Sequence, residues 1–110
     1  MFHCSQVFDR IKHVSDASVV KQIGAIFHFK VSNQSYVVDL KNGEGSVATG
    51  TPSVEPDVTV QMESDSLLQL FNREIEPMNA LSSGVITLNG DLTKALTLEK
   101  VMVAARESGK

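Results

Sequence analysis

The sequence lacks the features that mark disulfide-stabilised, membrane-spanning and nucleic-acid-binding proteins. Of its 110 residues only Cys4 is a cysteine, so no internal disulfide can form, and a reducing compartment is the expected setting. No apolar run approaches the roughly 20 residues that a membrane-spanning helix needs. The formal net charge is −3, whereas a nucleic-acid surface requires a clustered basic field. What is left is the composition of an ordinary globular protein, with 42% hydrophobic and 21% charged residues.

The start and the length of the chain complete this class assignment. The opening segment, MFHCSQVFDR, carries charge early and holds few apolar residues, which is atypical of a secretory signal peptide. Together with the missing membrane span, this predicts a cytoplasmic protein. The length predicts a single domain, residues 1–110, with one core.

Residues 23–47 predict two amphipathic strands joined by tight turns. One face of the first strand is apolar and the other is mixed, which is the period of two of a half-buried strand. The apolar face holds Ala25, Phe27, Phe29 and Val31, and the outer face holds Ile26, His28 and Lys30. Asn42-Gly43 supplies the residues of a hairpin turn. Three further strands are expected at residues 45–49, 57–63 and 85–90, with Val58, Val60, Met62, Ile86 and Leu88 facing inward.

Five helices are predicted along the chain, before, between and after these strands. Val7, Phe8, Ile11 and Val14 form the stripe of a first amphipathic helix. Asp16 is expected to cap a second, Ser64 or Asp65 a third, Pro77 to begin a fourth that Gly84 ends, and Asp91 to open the last. The last stripe consists of Leu92, Ala95, Leu96, Leu98, Val101, Met102 and Ala105. This order predicts an α+β fold with the helices collected on one face of the sheet.

No constellation of residues indicates catalysis, a metal or a cofactor. His3, Cys4, His13 and His28 have no spacing of a closed zinc site, and His28 is expected to be solvated on the outer face. The segment GEGSVATG superficially resembles a dinucleotide loop, but a strand pattern follows it where a helix would be needed. The carboxylates are scattered along polar faces. We therefore expect no enzyme, no bound metal and no cofactor.

Three blocks in this order resemble the sterol carrier protein 2 family: IGAIFHFKV, YVVDLKNGEGSV and DVTVQMESDSLLQLF, followed by a Gly-Asp step before an apolar helix. The resemblance extends from the first helix to about Met102. It implies a five-stranded, mostly antiparallel sheet covered on one face by about five helices, with an apolar tunnel between the layers. It also implies a carrier that binds a fatty acid, a fatty acyl-CoA or a sterol and transfers it between membranes or enzymes.

The resemblance also implies where a lipid would bind. The turn into the first strand, which resembles the head-group turn of related insect carriers, holds Lys21, Gln22 and Ile23. The tunnel lining is expected from the inner sheet face and the helix stripes, namely Val7, Ile11, Phe27, Phe29, Val60, Met62, Leu70, Leu98 and Met102. For each apolar residue the alternative is packing in a filled core, and for Lys21 it is an ordinary surface position.

The sequence differs from the family pattern in two respects, and two other functions are compatible with it. The chain ends in Ser108-Gly109-Lys110, not in a Ser-Lys-Leu-type peroxisomal signal, and little chain follows Ala105 to close the tunnel. One alternative is a protein-interaction domain with a filled core, and the other is a domain that presents a substrate to a larger enzyme. Transient membrane contact is a further possibility, no nucleic-acid partner is expected, and the oligomeric state is left open.

Overall fold

The computed structural model describes residues 4–107, and within them five helices and five strands form two layers. In chain order these are α1 (Cys4–Val14), α2 (Ala17–Ile23), β1 (Ala25–Val31), β2 (Gln34–Leu40), β3 (Ser46–Thr49), β4 (Val58–Met62), α3 (Ser64–Phe71), α4 (Pro77–Ser82), β5 (Thr87–Gly90) and α5 (Leu92–Glu107). His3 and the C-terminal Ser108-Gly109-Lys110 lie outside the described residues. No helix within residues 4–107 is long and apolar enough to cross a membrane.

The strands form one open mixed sheet in the order β3-β2-β1-β4-β5. β1 is central and pairs antiparallel with β2 and parallel with β4, whereas β2–β3 and β4–β5 are antiparallel. The predicted fold class is confirmed, including a sheet that is mostly antiparallel. Because β3 and β4 are separated by β2 and β1, the segment 50–57 has to cross both strands.

Local signals in the sequence fix most element boundaries as expected. Asp16 accepts a hydrogen bond from the Val19 amide at 2.9 Å and caps α2, and the Asp91 carboxylate accepts from the Thr93 and Lys94 amides at the start of α5. Pro77 is in the first turn of α4. Gly43, with φ of 62°, supplies the left-handed residue of the β2–β3 turn.

The predicted cap of α3 is wrong. Neither Ser64 nor Asp65 caps the helix; the hydroxyl of Ser32, in the β1–β2 turn, accepts a hydrogen bond from the Ser64 amide at 2.9 Å. The same hydroxyl donates to the Glu63 carboxylate at 2.9 Å. A residue that is distant in sequence thus satisfies a free amide at the start of α3, and the β1–β2 turn is fixed to that helix.

The expected solvation of His28 is also wrong, because the residue is only 7% exposed. It points away from the helices, as predicted, and so does Ile26, which is 6% exposed. The segment 50–57 that crosses β1 ends beside these residues: the Asp57 amide donates to the Ile26 carbonyl at 2.9 Å, and the Asp57 carboxylate accepts from the Ile26 amide at 2.8 Å. The strand order therefore explains why His28 and Ile26 are buried: it makes segment 50–57 cross the sheet face that the alternation alone predicts to be exposed to solvent.

The pairing of β4 with β5 requires a glycine at position 90. Gly90 lies opposite Val58 and has φ of 115°, which side chains with a Cβ rarely adopt. A Cβ there would collide with the Asp57 carbonyl oxygen, which accepts a hydrogen bond from the Asp91 amide at 3.0 Å. This close approach holds β5 and the start of α5 against β4.

Candidate functional site

A cavity of about 670 Å³ lies between the inner face of β4 and β5 and the helices α3, α4 and α5. Its apolar lining comes from strands and helices alike: Phe29, Val60, Met62, Leu67, Leu70, Phe71, Ile75, Pro77, Met78, Leu81, Ile86, Leu88, Leu92, Ala95, Leu96, Leu98, Met102 and Val103. Its charged lining consists of Arg73, Glu76, Glu99 and Arg106. The site is therefore an apolar compartment with a few charged groups, which is the usual make-up of a small-molecule pocket.

The interior is filled on one side of the domain and hollow on the other. Over β1 and β2, α1 packs directly on the sheet, with the Phe8 ring stacked on Tyr36 at 4.0 Å between centroids and edge-on to Phe29 at 5.2 Å. Over β4 and β5, the short α4 buries a single residue, Ala80. Because so short a helix covers little of the sheet, the layers do not meet there and the cavity remains.

The cavity has an apolar mouth. Met78 of α4 and Leu92 and Leu96 of α5 line it and are 63%, 59% and 62% exposed. Exposed apolar residues that continue the lining of a pocket are typical of a ligand-binding opening. Three lining residues, Met62, Met78 and Met102, are thioethers that adapt to ligands of varied shape.

Half of the residues predicted for the lipid site line this cavity. They are Phe29, Val60, Met62, Leu70, Leu98 and Met102. Val7, Ile11 and Phe27 do not line it; they lie in the part of the core where α1 and β1 bury their apolar side chains. Their periodic spacing marks the inside of the fold, but at these positions the inside is filled by side chains.

The predicted head-group turn lies away from the cavity lining. Lys21 and Gln22 are exposed at the end of α2, and Ile23 is 4% exposed within the core. The ammonium group of Lys94 donates to the Ile23 carbonyl at 2.7 Å. A lysine of α5 thus already occupies a carbonyl of this turn.

The sequence reasoning did not select the charged lining residues or the mouth as site residues. Arg106 follows Met102 at i+4, so the stripe of α5 contained a signal for it. Arg73 lies just after α3 in a left-handed conformation with φ of 61°, which no pattern in the sequence indicates. Met78 is an exposed apolar residue of a six-residue helix, and its role as a mouth residue follows only from its position beside the cavity.

The polar groups that most resemble catalytic residues lie apart from the cavity. Burial, reinforced by the nearby Asp65, raises the pKa of the Cys4 thiol, so the unreactive protonated form is favoured. Burial, with Lys30 nearby, lowers the pKa of His28, which is on the opposite face of the sheet from the cavity. Within residues 4–107 no group of three or more histidine, cysteine or acidic side chains is placed to hold a metal ion.

Comparison with known proteins places this fold in a family. The sequence profile of the SCP-2 sterol transfer family matches residues 5–103. Hydroxysteroid dehydrogenase-like protein 2 from Danio rerio is 32% identical over 101 residues, which make up 89% of this chain. The chain spans only 24% of that relative's length.

Two solved structures share the fold at low sequence identity. Sterol carrier protein 2 from Yarrowia lipolytica, in its apo form, superimposes with a TM-score of 0.78 at 24% identity, over 91% of this chain and 89% of that one. Palmitated SCP2L2 from Aedes aegypti gives a TM-score of 0.70 at 24% identity, over 93% and 96% of the two chains. The fold, the cavity between its layers and above all the profile match over residues 5–103 lead to one conclusion: this chain belongs to the SCP-2 sterol transfer family.

Proposed function

We propose that this chain binds one fatty acid, fatty acyl-CoA or sterol in the cavity and carries it between membranes or enzymes, without catalysing a reaction. The observation that carries the proposal is the cavity of about 670 Å³ with its apolar lining and mouth. Small-molecule pockets span about 300–1,000 Å³, so the size suits one single-chain lipid or one sterol.

The energetics suit a carrier that has to release its cargo. Each buried methylene contributes about 0.8 kcal/mol, so a chain of about sixteen carbons gains roughly 13 kcal/mol at most. Association costs of at least about 4 kcal/mol reduce this to about 9 kcal/mol at most, which corresponds to a Kd just below micromolar at the tightest. A ligand held at this level is retained in water and still exchanges.

Two comparisons support the choice of ligand class. The structural neighbour from Aedes aegypti is described as palmitated, and the family is named for sterol transfer. The Cys4 thiol donates to the Ser64 carbonyl at 3.6 Å and burial raises its pKa, which supports a non-catalytic role for this cysteine.

Native mass spectrometry after delipidation tests the proposal, with palmitate and cholesterol added separately. We expect a one-to-one adduct with at least one of them. The variant Ala95→Phe places a ring into the cavity from α5 and is expected to abolish the adduct, because Ala95 lines the cavity and is half-buried. Ala104→Phe makes the same change on an exposed part of α5 and should bind like the unmodified chain.

Each result bears on the proposal in a defined way. An adduct that survives Ala95→Phe would place the lipid outside the cavity and contradict the site. No adduct with any lipid, from a sample whose circular dichroism shows it to be folded, would contradict lipid binding. A transfer assay between donor and acceptor vesicles then tests the carrier role, with Ala95→Phe as the inactive control.

The relative from Danio rerio supports a second candidate, in which the domain presents its lipid to an enzyme. That protein is named as a dehydrogenase-like protein and is about four times as long as the matched segment, which makes up 24% of it. The apolar mouth formed by Met78, Leu92 and Leu96 would then face a catalytic domain. Lipid binding without transfer between vesicles would favour this candidate.

A further inference from the structure

The charged residues of the cavity are unequal in burial, and the most buried of them is a cation. Arg73, Glu76 and Glu99 are exposed, whereas Arg106 is half-buried. In the part of the chain that the structure describes, no carboxylate lies within 4.0 Å of the Arg106 guanidinium. Arg106 lines the apolar cavity, and a guanidinium without a protein carboxylate can pair with an anionic group of a ligand there.

The lining side of α5 changes in character along its length. It begins with Leu92, Ala95 and Leu96 at the mouth and ends with Met102 and Arg106. At 1.5 Å per residue, Leu92 and Arg106 are about 21 Å apart along the helix axis. Glu99, the other charged lining residue of α5, is about 10 Å from Arg106 on this scale, too far to share one head group.

A lipid carboxylate cannot be carried into an apolar cavity unpaired, because the desolvation of a charge is not otherwise compensated. Arginine suits this pairing because its planar fork donates two parallel hydrogen bonds to one carboxylate. The turn of Lys21, Gln22 and Ile23, to which the family resemblance assigns the head group, does not line the cavity. That turn lies beside the other end of α5, where Lys94 donates to the Ile23 carbonyl at 2.7 Å.

We propose that Arg106 holds the anionic head group of a single-chain lipid, with the hydrocarbon tail running along α5 toward the mouth at Leu92 and Met78. This inference rests on the proposed lipid-binding function and deepens it. It makes Arg106 a specificity-determining residue that favours an ionised fatty acid over a neutral lipid of the same length. It also sets an orientation opposite to the one that a head group at Lys21 would give.

The affinity test compares palmitate with hexadecanol, which has the same chain and a neutral head. The full chain should bind palmitate more tightly, and Arg106→Gln should weaken palmitate binding by about tenfold or more, as expected for loss of a charge-assisted hydrogen bond, while hexadecanol binding stays unchanged. Arg106→Lys keeps the charge and should recover part of the preference. Lys100→Gln removes an equal charge from an exposed position of α5 outside the cavity lining and should change neither affinity.

The orientation test uses stearic acid with a nitroxide either near its carboxylate or near its methyl end. The label near the carboxylate should broaden amide resonances around Arg106, and the other label those around Leu92. The reverse pattern, or an equal loss of both affinities in Arg106→Gln, would overturn the assignment of the head group to Arg106. If the unmodified chain binds neither palmitate nor hexadecanol, the proposed function itself fails, and this inference fails with it.

Discussion

Replacing His28 with leucine should stabilise the protein and remove part of its pH dependence. His28 is 7% exposed, and its Nε2 atom has no hydrogen-bond partner among the described residues. Leaving a buried polar atom unsatisfied costs about 1–3 kcal/mol. Leucine has a similar volume and no polar atom, so we expect the free energy of unfolding at neutral pH to rise by at least about 1 kcal/mol. This corresponds to an increase in Tm of about 4 °C or more.

The pH dependence follows from the lowered pKa of His28. Above the ordinary value of 6.5, the histidine is neutral in both the folded and the unfolded chain. As the pH falls below 6.5, the unfolded chain takes up a proton that the folded chain resists, because burial, with Lys30 nearby, disfavours the charged form. The free energy of unfolding therefore falls, by at most about 1.4 kcal/mol per pH unit, until the lowered pKa of the folded state is reached.

Urea denaturation at a series of pH values measures both effects in the unmodified chain and in His28→Leu. The variant should be more stable at neutral pH and should lose less stability between pH 6.5 and the acid end of the series. His13→Gln, at an exposed position of α1, serves as the control for loss of a histidine in general. A variant that is less stable at neutral pH, or whose stability falls with pH as steeply as that of the unmodified chain, would refute this reasoning.

Two further pairs of variants test the packing described above. Gly90→Ala should lower Tm more than Gly50→Ala does. Both variants force an alanine into a positive-φ conformation, which costs about 1–3 kcal/mol of stability, but only at position 90 does the new Cβ also collide with the Asp57 carbonyl. Equal losses of Tm would contradict this. Leu67→Ala should lower the free energy of unfolding by about 2–5 kcal/mol, since Leu67 is 1% exposed, whereas Leu96→Ala at the mouth should change it by no more than about 0.5 kcal/mol. Urea denaturation measures both leucine variants, and a large loss for Leu96→Ala would show that the mouth is packed.

Features of the fold that depend on neighbouring residues were predictable from the sequence. The alternation from Ala25 to Val31 predicts β1, and Asp16 and Asp91 cap their helices, because each depends on residues within one turn or one strand. The cap of α3 depends on Ser32, which is 32 residues from Ser64. No local pattern contains that contact. The burial of His28 escaped prediction for the same reason, since it depends on where segment 50–57 crosses the sheet.

The candidate site was only half predictable, and the reason is physical. Periodic apolar residues mark the inside of a fold, but they do not distinguish a packed interior from a hollow one. Ile11 and Leu98 carry the same signal, yet Ile11 is fully buried where α1 packs in the core, whereas Leu98 lines the cavity. The difference arises from the lengths of the helices over the sheet: α1 has 11 residues, whereas α4 has six.

The hydrogen bond from Lys94 to the Ile23 carbonyl bears on which helix can move to open the cavity. It ties the first half of α5 to the end of α2, while Val101 and Ala105 are buried in the second half, where α5 packs on α1. Contacts in both of its halves therefore hold helix α5 in place. Helix α4 is held by one buried residue, Ala80. A ligand wider than the mouth is expected to enter when α4 moves away from the sheet, while the sheet and α5 keep their positions.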